Sequence, residues 1–419
     1  MMQRTELMPG VWLNSVQTDR FKTGCFSINL LQPLNEADAA PNALVPSVLL
    51  RGCRSYPDMT AISARLDTLY GASVGTLVRK KGEVQTVGLY ADFLEDRYAG
   101  EPLFSQIMDF MGSILFDSCL ENQGFVASFT AGEKQNLSNA IAARINDKRS
   151  YAVSRLLKNM FPGEAYSVPR IGEAYTLENV TGQNLLSRYE AMLQTSPIEL
   201  FYLGQQSCET VAKTVRQMLA ALPAGSRQGA RTQTAFIAHP VRYVEESLDV
   251  TQGKLTMGLR TEITAQDSRY PALMLLNAIF GSGMNSKLFL QIREARSLCY
   301  YAGSSLDKHK GVMIIDSGIQ FEKYQEAHDG ILEQLELCKN GQITEEELEA
   351  ARVFLLSSLK SAMDSPGRMD DYAVGQACAG LTEGMEELSR SLEQVTMEQA
   401  VEAANTLVLD TVYFLKGVE

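Results

Sequence analysis

Histidine is scarce in this sequence: three in 419 residues, His239, His309 and His328, with none in the N-terminal half. No two stand three to five residues apart, so H-E-x-x-H and H-x-x-E-H are both missing. Two imidazoles on one helical turn beside a carboxylate base are therefore excluded, and only a site assembled from distant histidines and acids is left open. The seven cysteines, Cys25, Cys53, Cys119, Cys208, Cys299, Cys338 and Cys378, are odd in number and form no C-x-x-C pair. That pattern suits reduced thiols in a cytoplasm, not a disulfide framework. No apolar run approaches the length of a membrane span. The opening "MMQRTELMPGVWLNSVQTDRF" lacks a basic segment followed by an apolar core, so no signal peptide is read and a cytoplasmic location is expected. Cations are in deficit, 38 against 50 acids, which argues against a nucleic-acid partner. Both G-x-S-x-G and G-x-x-x-x-G-K-[ST] are missing, and "FGSGMNSK", Phe280 to Lys287, follows a helical pattern where a phosphate loop needs a strand.

What is present is enough apolar residue, 45% of the chain, for a sizeable core in two domains. A strand is expected over Gly24 to Leu34, ended by Pro33 and "NEADAAPN", then a helix over Ala43 to Leu50. A second helix fits "DMTAISARLDTLYG", with Asp58 or Thr60 as cap and Gly71 as stop. "ASVGTLVRK" and "VQTVGLYADF" read as a hairpin around Gly82, and "EPLFSQIMDFMGSILF" as an amphipathic helix. Phe129 to Met160 is helical in character without a breaker. Strand-like "IELFYLGQQ" and helical "CETVAKTVRQMLAAL" precede a Gly/Pro/Ser/Arg-rich stretch, Pro223 to Thr234. Beyond it, strand, helix, helix, hairpin around Gly311 and long helix recur in the same order. The expectation is α+β: two tandem homologous domains, 1–222 and 235–419, each an antiparallel sheet flanked by helices, joined by the linker 223–234.

The block "GSGMNSKLFLQIREARSLCYYAGSS" holds the most chemistry. Arg296 and Tyr300 lie four apart across the expected end of a helix, and such a pair donates hydrogen bonds to the carbonyls of an extended peptide or to a developing oxyanion. A solvated arginine and a half-buried strand tyrosine fit the same spacing. His309 reads as a hairpin-turn residue, His328 as an exposed helix position beside Asp329, and His239 as a loop or strand end.

This block resembles the second-domain signature of the pitrilysin/insulinase family of metallopeptidases, peptidase family M16: a Gly-rich turn, Leu-Phe, a charged helix, then Arg-x-Leu-x-Tyr. The tandem layout extends the resemblance over nearly the whole chain, and it implies the M16/LuxS-like metallohydrolase fold. Processing-type members enclose peptides between two half-chains, often one active and one inactive. In active members the helix before a basic-Gly turn carries H-x-x-E-H. Counting back from Arg51-Gly52, within "PNALVPSVLLRGC", those positions fall on Ala43, Pro46 and Ser47, and the third zinc ligand, seven beyond Glu133, falls on Ala140. The resemblance therefore implies a zinc-less member, with no metal and no cofactor, inactive alone. "LYGASVGTLVRKKGEVQTVGLYADFLEDRY" is similar to the zinc-less members of paired M16-like sets in Gram-positive bacteria. Arg296 and Tyr300 match the substrate-holding pair of the family's second domain, so they are expected to bind a peptide or unfolded polypeptide in trans, at the zinc of an active homologue in a heterodimer. A peptide-binding or scaffold homodimer without chemistry is the competing expectation. A third is an enzyme of different mechanism at the Gly281 to Lys287 loop.

Overall fold

A computed structural model describes residues 2–234 and 239–418. In chain order its main elements begin with strands β1 Gln3–Met8, β2 Val11–Gln17 and β3 Thr23–Pro33 and helices α1 Glu36–Leu49 and α2 Met59–Thr68. Strands β4 Ser73–Lys81 and β5 Val84–Leu94 lead to helices α3 Leu103–Phe116, α4 Ala127–Ala143, α5 Lys148–Met160 and α6 Gly182–Thr195. Strand β6 Ile198–Gly204, helix α7 Cys208–Met218, strands β7 Arg242–Leu248 and β8 Gly253–Arg260, and helix α8 Tyr270–Phe280 follow. A π-helix, Leu288–Ala295, precedes strands β9 Cys299–Asp307 and β10 Val312–Ile319. Helices α9 Tyr324–Lys339, α10 Glu345–Ala362, α11 Pro366–Cys378, α12 Met385–Glu393 and α13 Met397–Asn405 then lead to strand β11 Val408–Gly417.

Two sheets organise these elements. The first has the order β1-β2-β6-β3-β5-β4 and the second β9-β10-β8-β11-β7. In the first sheet only β2 and β6 pair in parallel, and in the second only β7 and β11. Reading β2-β6-β3-β5-β4 against β7-β11-β8-β10-β9 gives one topology twice, with β1 as an addition to the first. Both hairpins, β4–β5 and β9–β10, turn through a glycine in the left-handed region, Gly82 at φ 61° and Gly311 at φ 70°, where a side chain is disfavoured. The α+β class and the tandem repeat therefore stand.

The main division, between residues 231 and 232, falls within the expected linker 223–234, but two further segments are exchanged across it. Compact unit 1 comprises 1–142, 168–231 and 366–384, and unit 2 comprises 143–167, 232–365 and 385–419. Each half of the sequence gives one helix to the other half's sheet. In unit 1, α11 lies on the sheet face opposite the main core, where Met369 and Ala373 meet Val16, Cys25, Phe201 and Leu203. In unit 2, α5 lies on the corresponding face, where Leu156 and Met160 meet Val312, Ile314, Tyr413 and Leu415. Charge fixes both: Asp370 takes hydrogen bonds from Ser27 and Arg79, and Glu246 pairs with Arg155. Nor is the stretch 223–231 a free linker, because Arg227 donates to the carbonyls of Leu193 and Pro223. Residue 235, the expected start of the second domain, lies outside the described residues.

Several element bounds differ for local reasons. Helix α1 starts seven residues before the expected Ala43, because Asn35 caps it by accepting the Asp38 N–H, and it runs through Pro41 and Pro46. A proline inside a helix costs about 3 kcal/mol, offset here by burial of nearly every residue from Ala39 to Leu49. The segment 129–160 is broken at Asp147, whose side chain accepts the N–H groups of Arg149 and Ser150 and starts α5. The hairpin β1–β2 around Gly10 was not expected at all.

Candidate functional site

In unit 1 the helix that the resemblance marks for metal binding is α1. Ala43 is buried, Pro46 is buried and Ser47 is half-buried, while Ala140 is exposed on α4. A methyl group and a pyrrolidine ring hold no lone pair for a cation, and a hydroxyl is a poor substitute for the imidazole, thiolate or carboxylate that zinc takes. The donor set does not fit the metal, and among the described residues no cluster of three His, Cys, Asp or Glu is arranged to hold one. The two helices do meet: Arg51, just past α1, sets its Nη1 3.2 Å from Glu133 Oε1 on α4, its guanidinium 5.8 Å from the Phe129 ring centre. The carboxylate of α4 thus faces a guanidinium.

Sequence reading missed the polar side chains that hold α1. Asn42 and Gln85 are both buried. Asn42 donates to Gln85 (3.1 Å), Gln85 donates to the carbonyls of Ala39 and Arg170 (2.7 Å each), and Arg188 donates to Asn42 (3.0 Å) and pairs with Asp38 (2.7 Å). Their only sequence signal was polarity inside apolar runs.

In unit 2 the predicted block forms a π-helix. The N–H of Arg296 bonds to the carbonyl of Gln291 (3.2 Å), the five-residue step of that helix, and Ser297 ends it at φ 49°. The buried Leu288 and Ile292 anchor the helix in the core of unit 2, as their spacing predicts. Arg296 Nη1 pairs with Glu333 Oε2 of α9 at 2.6 Å, with side chains 38% and 51% exposed. This hydrogen bond raises the arginine and lowers the glutamate from their ordinary pKa values.

Tyr300 sits where the β9–β10 register slips, since Cys299 pairs with Ile319 and Tyr301 with Gly318. That bulge turns Tyr300 outward, 59% exposed and not half-buried, as bulges re-aim side chains. The structure therefore joins Arg296 to Glu333 and leaves Tyr300 on an edge strand, rather than joining the two. It is Tyr301 that stacks with an arginine, Arg149, at 4.4 Å.

The glycine-rich loop does not offer its lysine to a phosphate: Lys287 is buried, and its Nζ lies 2.7 Å from Glu347 Oε1. His309 lies in the hairpin turn and His239 in a loop, as expected. His328 departs from expectation. It is buried, bonded to Asp329 through Nδ1 (2.8 Å) and flanked by the rings of Tyr243 and Tyr324.

Two sheets of repeated topology, with Ala43, Pro46 and Ser47 on α1 of the first unit and the Arg-x-Leu-x-Tyr block in the second, define the architecture of an M16-type peptidase homologue. The chain belongs to the peptidase M16 family, as a homologue of its inactive kind. The family described as "Peptidase M16 inactive domain" matches residues 179–354. "Probable inactive metalloprotease YmfF" of Bacillus subtilis (strain 168) is 30% identical over 98% of this chain and 96% of its own length. A solved structure of a conserved protein from Enterococcus faecalis V583 superposes with TM-score 0.91 at 27% identity, covering 100% of this chain and 99% of that one. A peptidase M16 inactive domain from Pseudomonas fluorescens, at 18% identity, shares the fold with TM-score 0.81 over 100% and 98% of the two chains. Among the described residues no helix is long and apolar enough to cross a membrane.

Proposed function

We propose that this chain is the non-catalytic subunit of a two-chain peptidase, helping a zinc-bearing M16 homologue to bind and process peptides while cleaving nothing alone. The observation that carries the reading is Tyr300, turned out of the β9 edge by a bulge and exposed, in a chain whose ligand positions hold Ala43, Pro46, Ser47 and Ala140. A phenol hydroxyl so presented stabilises an oxyanion or a substrate carbonyl at a partner's metal, and Arg296 contributes to holding the peptide once released from Glu333.

The test is co-purification from the native host followed by peptide turnover. A partner carrying H-x-x-E-H is expected in the complex, with activity from the mixture and none from this chain. Tyr300→Phe is expected to lower kcat of the complex at least about tenfold without dissociating it. Unchanged turnover removes the in-trans role. Recovery of a homodimer with no zinc-bearing homologue supports instead a peptide-binding or scaffold protein that does no chemistry.

A further inference from the structure

A cleft of about 410 Å³ opens in unit 2 between the π-helix and α9, with Arg296 and Glu333 at its rim. We propose that this cleft binds the free carboxyl end of a peptide.

Three observations carry the assignment. Gln334 on α9 lines the cleft although the residue is only 2% exposed. Its amide can both donate to and accept from a group in the cleft. The second observation is the Arg296–Glu333 pair. Both side chains are well exposed, and an exposed ion pair contributes little, so a ligand carboxylate replaces Glu333 on the guanidinium at small cost and presents the same planar face. The third is the π-helix itself. Its wide turn is a rare geometry that tends to mark functional sites, and it sets Gln291 and Arg296 on the same cleft.

The lining also selects the ligand class. Leu337 and Ile343 supply an apolar floor for one side chain. Amides at Gln291, Gln334 and Gln342 complement the N–H and C=O of a peptide bond. Lys287 adds positive charge on the same wall, but its Nζ is already held by Glu347. One replaceable carboxylate fits a singly charged carboxyl group better than a phosphate, and no aromatic ring lines the cleft to stack a base or sugar. The volume suits one or two residues. A terminal carboxylate attached to an amide and an apolar side chain meets all of these groups.

The site needs no partner chain, so its test is separate from that of the assisting role. Calorimetry on the full-length chain alone compares acetyl-Ala-Ala-Leu with a free carboxyl, the same peptide amidated, and free leucine. The free-carboxyl peptide is expected to bind saturably, with amidation weakening it at least about tenfold and leucine binding more weakly still. Arg296→Gln and Gln334→Leu are each expected to weaken the peptide about tenfold or more. The exposed Gln291→Ala, which cannot disturb the core, is expected to weaken it as well. Equal binding of amidated and free peptide, equal binding of leucine, or no saturable binding at millimolar peptide overturns the proposal.

Discussion

Glu199 is a side chain whose charge state depends strongly on its surroundings. It stands on β6, a strand buried throughout, and accepts hydrogen bonds from Arg4 on β1 and from Asn14 on β2. Those partners favour the carboxylate, but burial outweighs them and pushes the group up to about 7 from 4.5. Directly across the ladder, Asn29 of β3 holds a buried Oδ1 with no partner, which suits a neutral carboxyl with a proton to donate. Because the folded state holds this proton more tightly than the unfolded chain, the group's contribution to stability is fully present below about pH 4.5. It is lost as pH rises through 7, by on the order of 3 kcal/mol. Urea midpoints measured from pH 5 to pH 8 are expected to fall, and Glu199→Gln to flatten that slope. A variant retaining the full slope places the titration elsewhere.

At the scale of elements, α11 is held by ion pairs as well as by apolar contact. Asp370 takes a 2.7 Å hydrogen bond from Ser27 and pairs with Arg79, and Asp371 lies 2.7 Å from Lys81. Asp370→Ala leaves the mostly buried Arg79 without its closest carboxylate and is expected to destabilise unit 1 by about 3–5 kcal/mol, read as a shift in the urea midpoint. A loss below about 1 kcal/mol indicates that the pair is surface-like. Hairpins with alternating residues around Gly82 and Gly311, and the strong periodicity of α3, were readable because local pattern and local structure coincide there. The amphipathic face of α5, with Leu156 and Met160, shows that the helix packs but not on which sheet, and the "QRTELM" of β1 carries too much charge to look like a strand. That Ala43, Pro46 and Ser47 carry no imidazole, thiolate or carboxylate is legible directly in the sequence. The partner of Arg296 was not, because Glu333 lies 37 residues away on a helix whose spacing only says that it packs.

At the scale of the whole molecule, neither half of the sequence contains all of its own unit. A fragment 1–222 lacks α11, so Val16, Cys25, Phe201 and Leu203 lose their cover and Arg79 and Lys81 lose their acids. Such a fragment is expected to bind a hydrophobic dye and to melt without a cooperative transition, whereas 1–228 and 229–419 produced together are expected to co-purify. A cooperative melt of 1–222 alone refutes this dependence. The exchanged helices also set an order on biosynthesis. The first sheet leaves the ribosome early, yet its last covering helix follows only after the chain has grown from residue 232 to residue 384. At about 5–20 residues per second that is roughly 8–30 s, an interval in which a nearly finished sheet presents one bare face to the cell and to any chaperone that attends nascent chains.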